Sequence, residues 1–303
     1  MNGLIQWLAP TMLVAIIALR LPTYRDRPNT RTFTNLLMLL AGFSLLQIEP
    51  IAYGQIDPRF HTLTSVWGIS GLVAWLLLTA ALWNGLTLVL RVAGHQLSMR
   101  RVVAGTLILW TILIVTFMLS PAPDIEAPTE PLRATGPLAV FWAAILATTA
   151  ATPIVCLFYL RRVWRLVENG PIRTVLIAVA GTCWSLILWC VHKVSFFVLD
   201  DLGFTNWYTD HTILISRSLL SLTALLFCCV AVIYARTQLP ERLRRYRQIR
   251  QLTMHWHAVT PKSNAVLETG LIPRTRHAAW QASRNPLAAH RMMIEILDAG
   301  VTP

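Results

Sequence analysis

Charged residues are scarce in this chain, and acidic residues are the scarcer kind. Only 13% of its 303 residues are Asp, Glu, Lys or Arg, whereas a soluble domain carries about 25%. Hydrophobic residues make up 55% of the chain, and the mean hydropathy is +0.55. This composition excludes an ordinary soluble domain and predicts a membrane protein that crosses the bilayer several times.

The sequence also lacks the patterns that mark disulfide frameworks, metal sites and the commoner signalling enzymes. All five cysteines fall inside apolar runs, which predicts free thiols that pack as small buried hydrophobes. No spacing of Cys and His indicates zinc, and there is no P-loop, dinucleotide-binding fingerprint or kinase element. We therefore predict that the chain is not an enzyme and holds no metal or cofactor.

The net charge of +12 could indicate nucleic acid as a partner, but the distribution of the charges argues against it. Most Lys and Arg residues lie in short clusters beside apolar runs, as in the cytoplasmic loops of membrane proteins. No basic surface separate from these flanks is visible in the sequence. The predicted partners are membrane lipids and a cytoplasmic protein that binds the tail, not nucleic acid.

Seven apolar runs are long enough to span a bilayer as helices, which takes about 20 residues. Basic loops alternate with acidic ones, so the positive-inside rule predicts an outside N-terminus and a cytoplasmic C-terminus in the plasma membrane. The sequence therefore predicts an all-α fold, with a seven-helix bundle over residues 1–236 and a small helical tail over 237–303. The first five predicted spans are about 3–21, 33–53, 63–90, 102–119 and 138–160, and two more lie within 172–236.

The tail begins with a basic amphipathic segment, for which we predict a helix that starts at Pro240. Its apolar stripe includes Leu243, Tyr246, Ile249 and Leu252, and a last short helix is predicted over about 287–297. The basic face could bind anionic lipid headgroups or a partner protein. The candidate residues of this surface are Arg242, Arg244, Arg245, Arg247, Trp256, Glu295 and Asp298.

Ionisable residues inside the apolar runs form the candidate functional site. His192 and Lys193 lie in the sixth run, Arg217 lies in the seventh, and Gln47 and Glu49 lie in the second. Four of them are predicted in the outer third of the membrane, namely Glu49, His192, Lys193 and Arg217, and Glu49 would pair there with Lys193 or Arg217. Because ionisable groups in spans usually face the bundle interior and mark ion or substrate paths, we expect an outward-facing pocket. The alternatives are a structural ion pair that only fixes helix packing, and cationic side chains that snorkel to the outer headgroups.

The segment Gly68-Ile69-Ser70-Gly71 near the outer end of the third run resembles the nucleophile motif of the rhomboid intramembrane serine proteases. The resemblance implies Ser70 as nucleophile and His192 as base. The residues after His192 are Lys193, Val194 and Ser195, which departs from that family's Gly-containing pattern. A Gly and Ser run in a membrane helix is ordinarily a packing surface, so a protease is a remote alternative.

Two tail segments carry a second resemblance: Leu252–Thr260, which reads LTMHWHAVT, and Arg291–Ala299, which reads RMMIEILDA. With seven spans, they resemble an actinobacterial family of multi-pass membrane proteins that has a C-terminal cytoplasmic domain and is labelled as transporters. The resemblance implies transport of an unknown substrate. A receptor-like sensor or scaffold, signalling through the tail to a partner, is the alternative function.

Overall fold

The computed structural model describes residues 2–21, 28–95, 98–126, 134–165, 167, 170–259, 276–283, 289–290 and 292–294. Within these ranges the chain is helical and contains no strand, so the predicted all-α fold is confirmed. Contacts divide the chain into two units, Met1–Val232 and Ile233–Pro303. In chain order the helices are α1 (Asn2–Arg20), α2 (Pro28–Leu46), α3 (Glu49–Ile51), α4 (Asp57–Thr64), α5 (Ile69–Val92), α6 (Met99–Met118), α7 (Pro137–Trp164), α8 (Pro171–Asp201), α9 (Trp207–Asp210), α10 (Thr212–Val259) and α11 (Arg276–Ala282).

Five of the described helices are long and apolar enough to cross a membrane: α5, α6, α7, α8 and the first part of α10. The apolar parts of α1 and α2 are shorter, Trp7–Ala18 and Arg31–Leu46. Glycine and proline mark where two helices begin, since Gly136 precedes α7 and Pro137 is its first residue, and Gly170 and Pro171 do the same for α8. Proline is favoured at the first helical position, where its missing N–H would have no intrahelical partner.

The second and third apolar runs differ from their predicted bounds. Helix α2 ends at Leu46 rather than near residue 53, because Pro50 lacks an N–H and its ring would clash with the carbonyl of Leu46. The chain then forms α3, a π-helical turn over Ala52–Ile56 and α4. Helix α5 begins only at Ile69, after Gly68 turns the backbone with a φ of 69°.

The interior of the first unit is built around α5, which packs against α2, α6 and α7. Helix α1 packs against α2, and α7 packs against α8. Trp75 of α5 is 1% exposed and lies against Trp142 of α7 and Trp189 of α8, with ring centroids 5.3 and 5.5 Å apart. These helices therefore meet on a core of large aromatic rings.

The second unit contains the last part of α10 together with α11. Helix α10 continues to Val259, so the prediction of a separate helix starting at Pro240 is wrong. Helix formers such as Ala235, Gln238 and Leu239 precede this proline and favour continuation. Helix α11 was not predicted. Ile249 and Leu252 of the predicted stripe are buried with Ala279 and Met292, whereas Leu243 is 37% exposed.

Candidate functional site

The first unit has two chemically different ends. At its basic end, the Arg20 guanidinium lies 4.5 Å from the Phe33 ring centroid, and Arg91 donates to the hydroxyl of Thr32 at 3.1 Å. At its acidic end, the N–H of Trp67 donates to the carbonyl of Pro123 at 2.8 Å. Carboxylates of the described residues in the segments after α2 and α6, and in or after the last turn of α8, lie toward the acidic end: Asp57, Asp124, Glu126, Asp200, Asp201 and Asp210.

His192 lies where α8 meets α9 and the start of α10, and it is 6% exposed. Its Nδ1 is 2.7 Å from the hydroxyl of Tyr208, which itself donates to the backbone carbonyl of His192 at 3.0 Å. Its Nε2 is 3.2 Å from the backbone carbonyl of Thr212 and 3.3 Å from the hydroxyl of the same residue. Because a carbonyl oxygen can only accept, a proton on Nε2 satisfies the contact with Thr212, and Nδ1 can then accept from the hydroxyl of Tyr208.

Tyr208 belongs to the short helix α9, between the spans formed by α8 and α10. Partial burial raises the pKa of its phenol, which keeps the hydroxyl protonated and able to donate. Asn206 holds α9 in place with a capping box, accepting from the N–H groups of Tyr208 and Thr209. The position of the Tyr208 hydroxyl is therefore fixed by a local motif in the connecting segment.

Lys193 is completely buried in the first unit. Its Nζ lies 5.4 Å from the centroid of the Trp142 ring, within the range of a cation–π contact. Trp189, one turn earlier on α8, donates through its indole N–H to the hydroxyl of Ser216 on α10 at 2.9 Å. The cation therefore sits among aromatic side chains at a junction of three helices.

Gln47 and Arg217 line one small crevice of about 40 Å³, together with Ser44 and Ser221. His192 and Lys193 are not among the residues that line it. Glu49 lies in α3, after the end of α2, so its predicted position inside the second span is wrong. The side chain of Glu49 lies outside the described residues, and its predicted pairing stays a prediction.

Ser70 makes its hydrogen bonds to Asp57. Its N–H donates to Oδ1 of Asp57 at 2.8 Å, and its hydroxyl donates to Oδ2 at 2.7 Å. The carboxylate thereby satisfies an N–H group in the first turn of α5, where a negative charge is also favoured by the helix dipole. His192 makes its own contacts with Tyr208 and Thr212, so these hydrogen bonds do not form the expected Ser–His pair.

Asp57 is a residue whose role the sequence reasoning missed. It lies in the connection between the predicted spans 33–53 and 63–90, yet it is only 2% exposed. Its partner lies thirteen positions further along the chain, so no local periodicity reveals the contact. The available signal was the position of Ser70 just after a glycine that starts a helix, where a cap is required.

A second unpredicted feature is a partly open cavity of about 220 Å³ lined by α1, α2, α5, α7, α8 and α10. It lies toward the basic end, and its walls are almost entirely apolar. Two thiols lie in its lining, Cys156 of α7 and Cys183 of α8. Such a cavity could not be predicted from the sequence, because its volume depends on how side chains of helices distant in the chain pack.

The predicted tail surface is only partly within the described residues. Arg244 and Arg247 are exposed and line a shallow depression with Leu243, Gln248 and Gln251, and Arg245 is half-buried. The side chains of Arg242 and Trp256, and residues Glu295 and Asp298 as a whole, lie outside the described residues. Tyr246 faces inward, with its ring centroid 5.6 Å from that of Trp280.

No protein-family model, curated protein or solved structure matches this chain. Among the described residues there is no group of three or more His, Cys, Asp or Glu side chains that could hold a metal ion. The site must therefore be interpreted from its own geometry. It consists of a buried polar cluster near the acidic end, formed by His192, Lys193, Tyr208 and Thr212, and an apolar cavity near the basic end.

Proposed function

We propose that the chain crosses the plasma membrane seven times, with the acidic end outside and the basic end in the cytoplasm. In this proposal α1 and α2 are spans as well, because they pack into the same unit as α5. The supporting observation is the separation of Arg20 and Arg91 from the carboxylates at the opposite end, which is the charge distribution of an inside-positive protein.

Single cysteines at the two ends test this orientation in intact cells. In a variant without the native cysteines, Asp124→Cys should react with a membrane-impermeant maleimide. His95→Cys, in the connection after α5, should react only after permeabilisation. The opposite pattern, or equal labelling of both sites, would contradict the proposed orientation.

Within this topology, the proposed function is ion-coupled transport. It is supported by the complete burial of Lys193 in a span, beside the buried His192. Placing a lysine inside a membrane helix is costly, and such residues usually mark ion or substrate paths. The family resemblance favours the same function.

The size of the crevice beside Arg217 and Gln47 limits what this region could bind. A volume of about 40 Å³ holds waters or a small ion, because one water needs about 10–15 Å³ of such volume. This crevice therefore fits the coupling step or the outer gate of a transporter, not the binding of an organic solute. In this proposal Glu49 accepts the coupling proton, under the influence of Lys193 and Arg217.

Currents from proteoliposomes adsorbed on a solid-supported membrane test the proposal, with proton, chloride, phosphate and acetate steps as probes. We expect transient currents from the wild type and their loss in Lys193→Met and Glu49→Gln. Asp124→Asn, which changes an exposed carboxylate at the same end, should keep them. No current with any probe, or unchanged currents in both variants, would contradict coupled transport through this cluster.

The second candidate function is a receptor-like sensor. It is favoured by α10, since Thr223 and Phe227 of this helix line the cavity and the same helix continues to Val259. A ligand that shifts α10 could change what the tail presents to a cytoplasmic protein. The exposed arginines of the tail, Arg244 and Arg247, would then contact that partner or anionic headgroups.

Charge reversal in the full-length chain separates the two functions. Arg244→Glu together with Arg247→Glu should leave ion currents unchanged if the protein is a transporter whose tail has another role. A sensor should show no currents, and the same variant should lose any protein partner recovered after crosslinking in cells. Equal amounts of the wild type and of the double variant in the membrane are the control for folding.

A further inference from the structure

We propose that the cavity near the basic end binds the hydrocarbon chain of an anionic amphiphile, with its headgroup held by Arg20 and Arg91. The ligand class is a single alkyl chain that ends in a carboxylate or phosphate. This site is distinct from the polar cluster near the acidic end, and it is compatible with either transport or sensing.

The volume of the cavity indicates an organic group. At about 220 Å³ it exceeds the roughly 150 Å³ cavity, lined by Leu, Ile and Phe, that stays dry and binds benzene. An empty void of this size deprives the surrounding side chains of contacts on one side. Water would gain little there, because an ordered water needs about 2–4 polar partners.

The threonine hydroxyls in the cavity wall are hydrogen bonded within the protein. The hydroxyl of Thr152 donates to the carbonyl of Thr148 at 3.1 Å, and that of Thr182 donates to the carbonyl of Ala178 at 2.9 Å. The hydroxyl of Thr223 contacts the carbonyl of Leu219 at 2.8 Å and the hydroxyl of Ser185 at 2.9 Å. These hydroxyls turn back to the helices, so the wall presents mainly methyl groups and aromatic rings to a ligand.

Two cysteines, Cys156 of α7 and Cys183 of α8, also lie in the wall. A thiol is only a weak donor and packs as a small hydrophobe. Neither residue therefore supplies a strong polar contact to a ligand, and a saturated chain fits this wall better than a sugar, nucleotide or amino acid.

Positive charge lies beside the cavity at the basic end. Phe33 lines the cavity, and the guanidinium of Arg20 is 4.5 Å from the centroid of its ring. Leu88 and Val89 also line it and directly precede Arg91, which is bonded to Thr32. A chain in the cavity would place its headgroup near these two guanidinium groups, and an anionic headgroup complements them.

The occupant should contribute one chain to the cavity, because the volume is too small for two. A free fatty acid and one chain of an anionic phospholipid share this chemistry. Native mass spectrometry of protein purified in mild detergent, followed by identification of retained lipids, distinguishes the two sources. Recovery of either supports the site, whereas retention of neutral lipid alone contradicts the role of the arginines.

Photocrosslinking locates the site in the wild-type protein. Dodecanoate carrying a diazirine on its chain should modify peptides that contain Cys156 and Cys183. An excess of unlabelled dodecanoate should suppress the modification, and dodecanol should suppress it less well. Crosslinks confined to lipid-facing positions such as Ile112 and Val194, which are 39% and 50% exposed, would overturn the proposal.

Two pairs of variants then test separately the binding of the ligand's hydrocarbon chain and the binding of its headgroup. Gly85→Leu should fill the cavity, because a Cβ at Gly85 meets nothing within 4 Å, and should abolish dodecanoate retention in native mass spectra. Gly54→Leu, at an equally open but exposed position, is the matched control and should retain it.

Arg20→Gln and Arg91→Gln should each weaken dodecanoate binding by about fivefold, the effect of about one basic residue near a membrane surface. Dodecanol binding should not change in either variant. If both variants bind dodecanoate as the wild type does, the arginines do not hold the headgroup. If Gly85→Leu binds dodecanoate as well as Gly54→Leu does, the hydrocarbon chain of the ligand does not occupy this cavity.

Discussion

Near the acidic end of the bundle, Trp75, Trp142 and Trp189 fill the interior, whereas near the basic end the same helices line a cavity of about 220 Å³. The two regions share α5, α7 and α8, so the difference does not come from the backbone arrangement alone. It comes from side-chain size. Large rings close the gap between helices at one end, and residues such as Gly85 and Ala81 leave it open at the other.

The comparison suggests a division of roles between the two regions. The filled end combines aromatic packing with the hydrogen bonds of His192, Tyr208 and Ser216, so it should resist deformation. The open end has apolar walls and few specific contacts, so it can accept a ligand. Stability should therefore depend strongly on residues at the acidic end and weakly on residues that line the cavity.

The largest effect is expected for Trp75→Ala. This substitution removes a ring that is 1% exposed and contacts Phe43, Trp142 and Trp189. We therefore expect the free energy of unfolding to fall by about 3–5 kcal/mol. Trp184→Ala is the matched control, since Trp184 is 57% exposed and should lose far less. Denaturant titration in detergent micelles measures both, and similar losses would show that the aromatic core is not the stabilising region.

A smaller loss, of about 1–2 kcal/mol, is expected when the cap of α5 is removed by Asp57→Ala. Ser70→Ala should also destabilise the protein, because it removes one of the two hydrogen bonds to the same carboxylate. The double variant should lose less than the sum of the two single losses, since both remove one interaction. Strictly additive losses in the same titration would contradict the cap.

Tyr208→Phe should cost about 1 kcal/mol, because it removes a hydroxyl that contacts both the ring and the carbonyl of His192. His192→Phe removes the ring nitrogens, and in its presence Tyr208→Phe should have a reduced effect. Thermal unfolding followed by circular dichroism is sufficient to detect the change. An unchanged unfolding temperature in Tyr208→Phe would mean that this contact does not hold α9 against α8.

The smallest effect is expected in the cavity, and it should have the opposite sign. Gly85→Ala should stabilise the protein by up to about 1 kcal/mol, because alanine favours the helix and its methyl group meets no atom within 4 Å. Gly42→Ala in α2 is the control, since its Cβ would lie only 3.0 Å from Cδ1 of Leu77. Equal stabilisation by both substitutions would mean that propensity alone, and not the cavity, decides the outcome.

Much of the helical layout was predictable, and the exceptions have physical causes. The apolar runs at 102–119 and 138–160 lie within or beside helices α6 and α7, because long hydrophobic stretches with basic flanks are a strong local signal. Pro50 ended α2 earlier than its apolar pattern suggested. Pro240 was predicted to lie at the start of a new helix, but α10 continues through it to Val259.

The candidate site was less predictable than the helices. Lys193, His192 and Arg217 were conspicuous as ionisable residues in apolar runs, and the sequence alone was enough to select them. Their contacts were not predictable. The partner of His192 lies in α9, a short helix whose capping box is visible only once Asn206 and Thr209 are placed in space.

By itself, the sequence determined that this chain is helical, that it is rich in apolar helices and that positive charge gathers beside them, because these properties follow from composition and local order. Tertiary structure alone decided that Asp57 caps α5, that Lys193 lies against Trp142 and that a cavity remains beside Cys156 and Cys183. Each of these depends on side chains far apart in the chain, and their meeting is set by how whole helices pack.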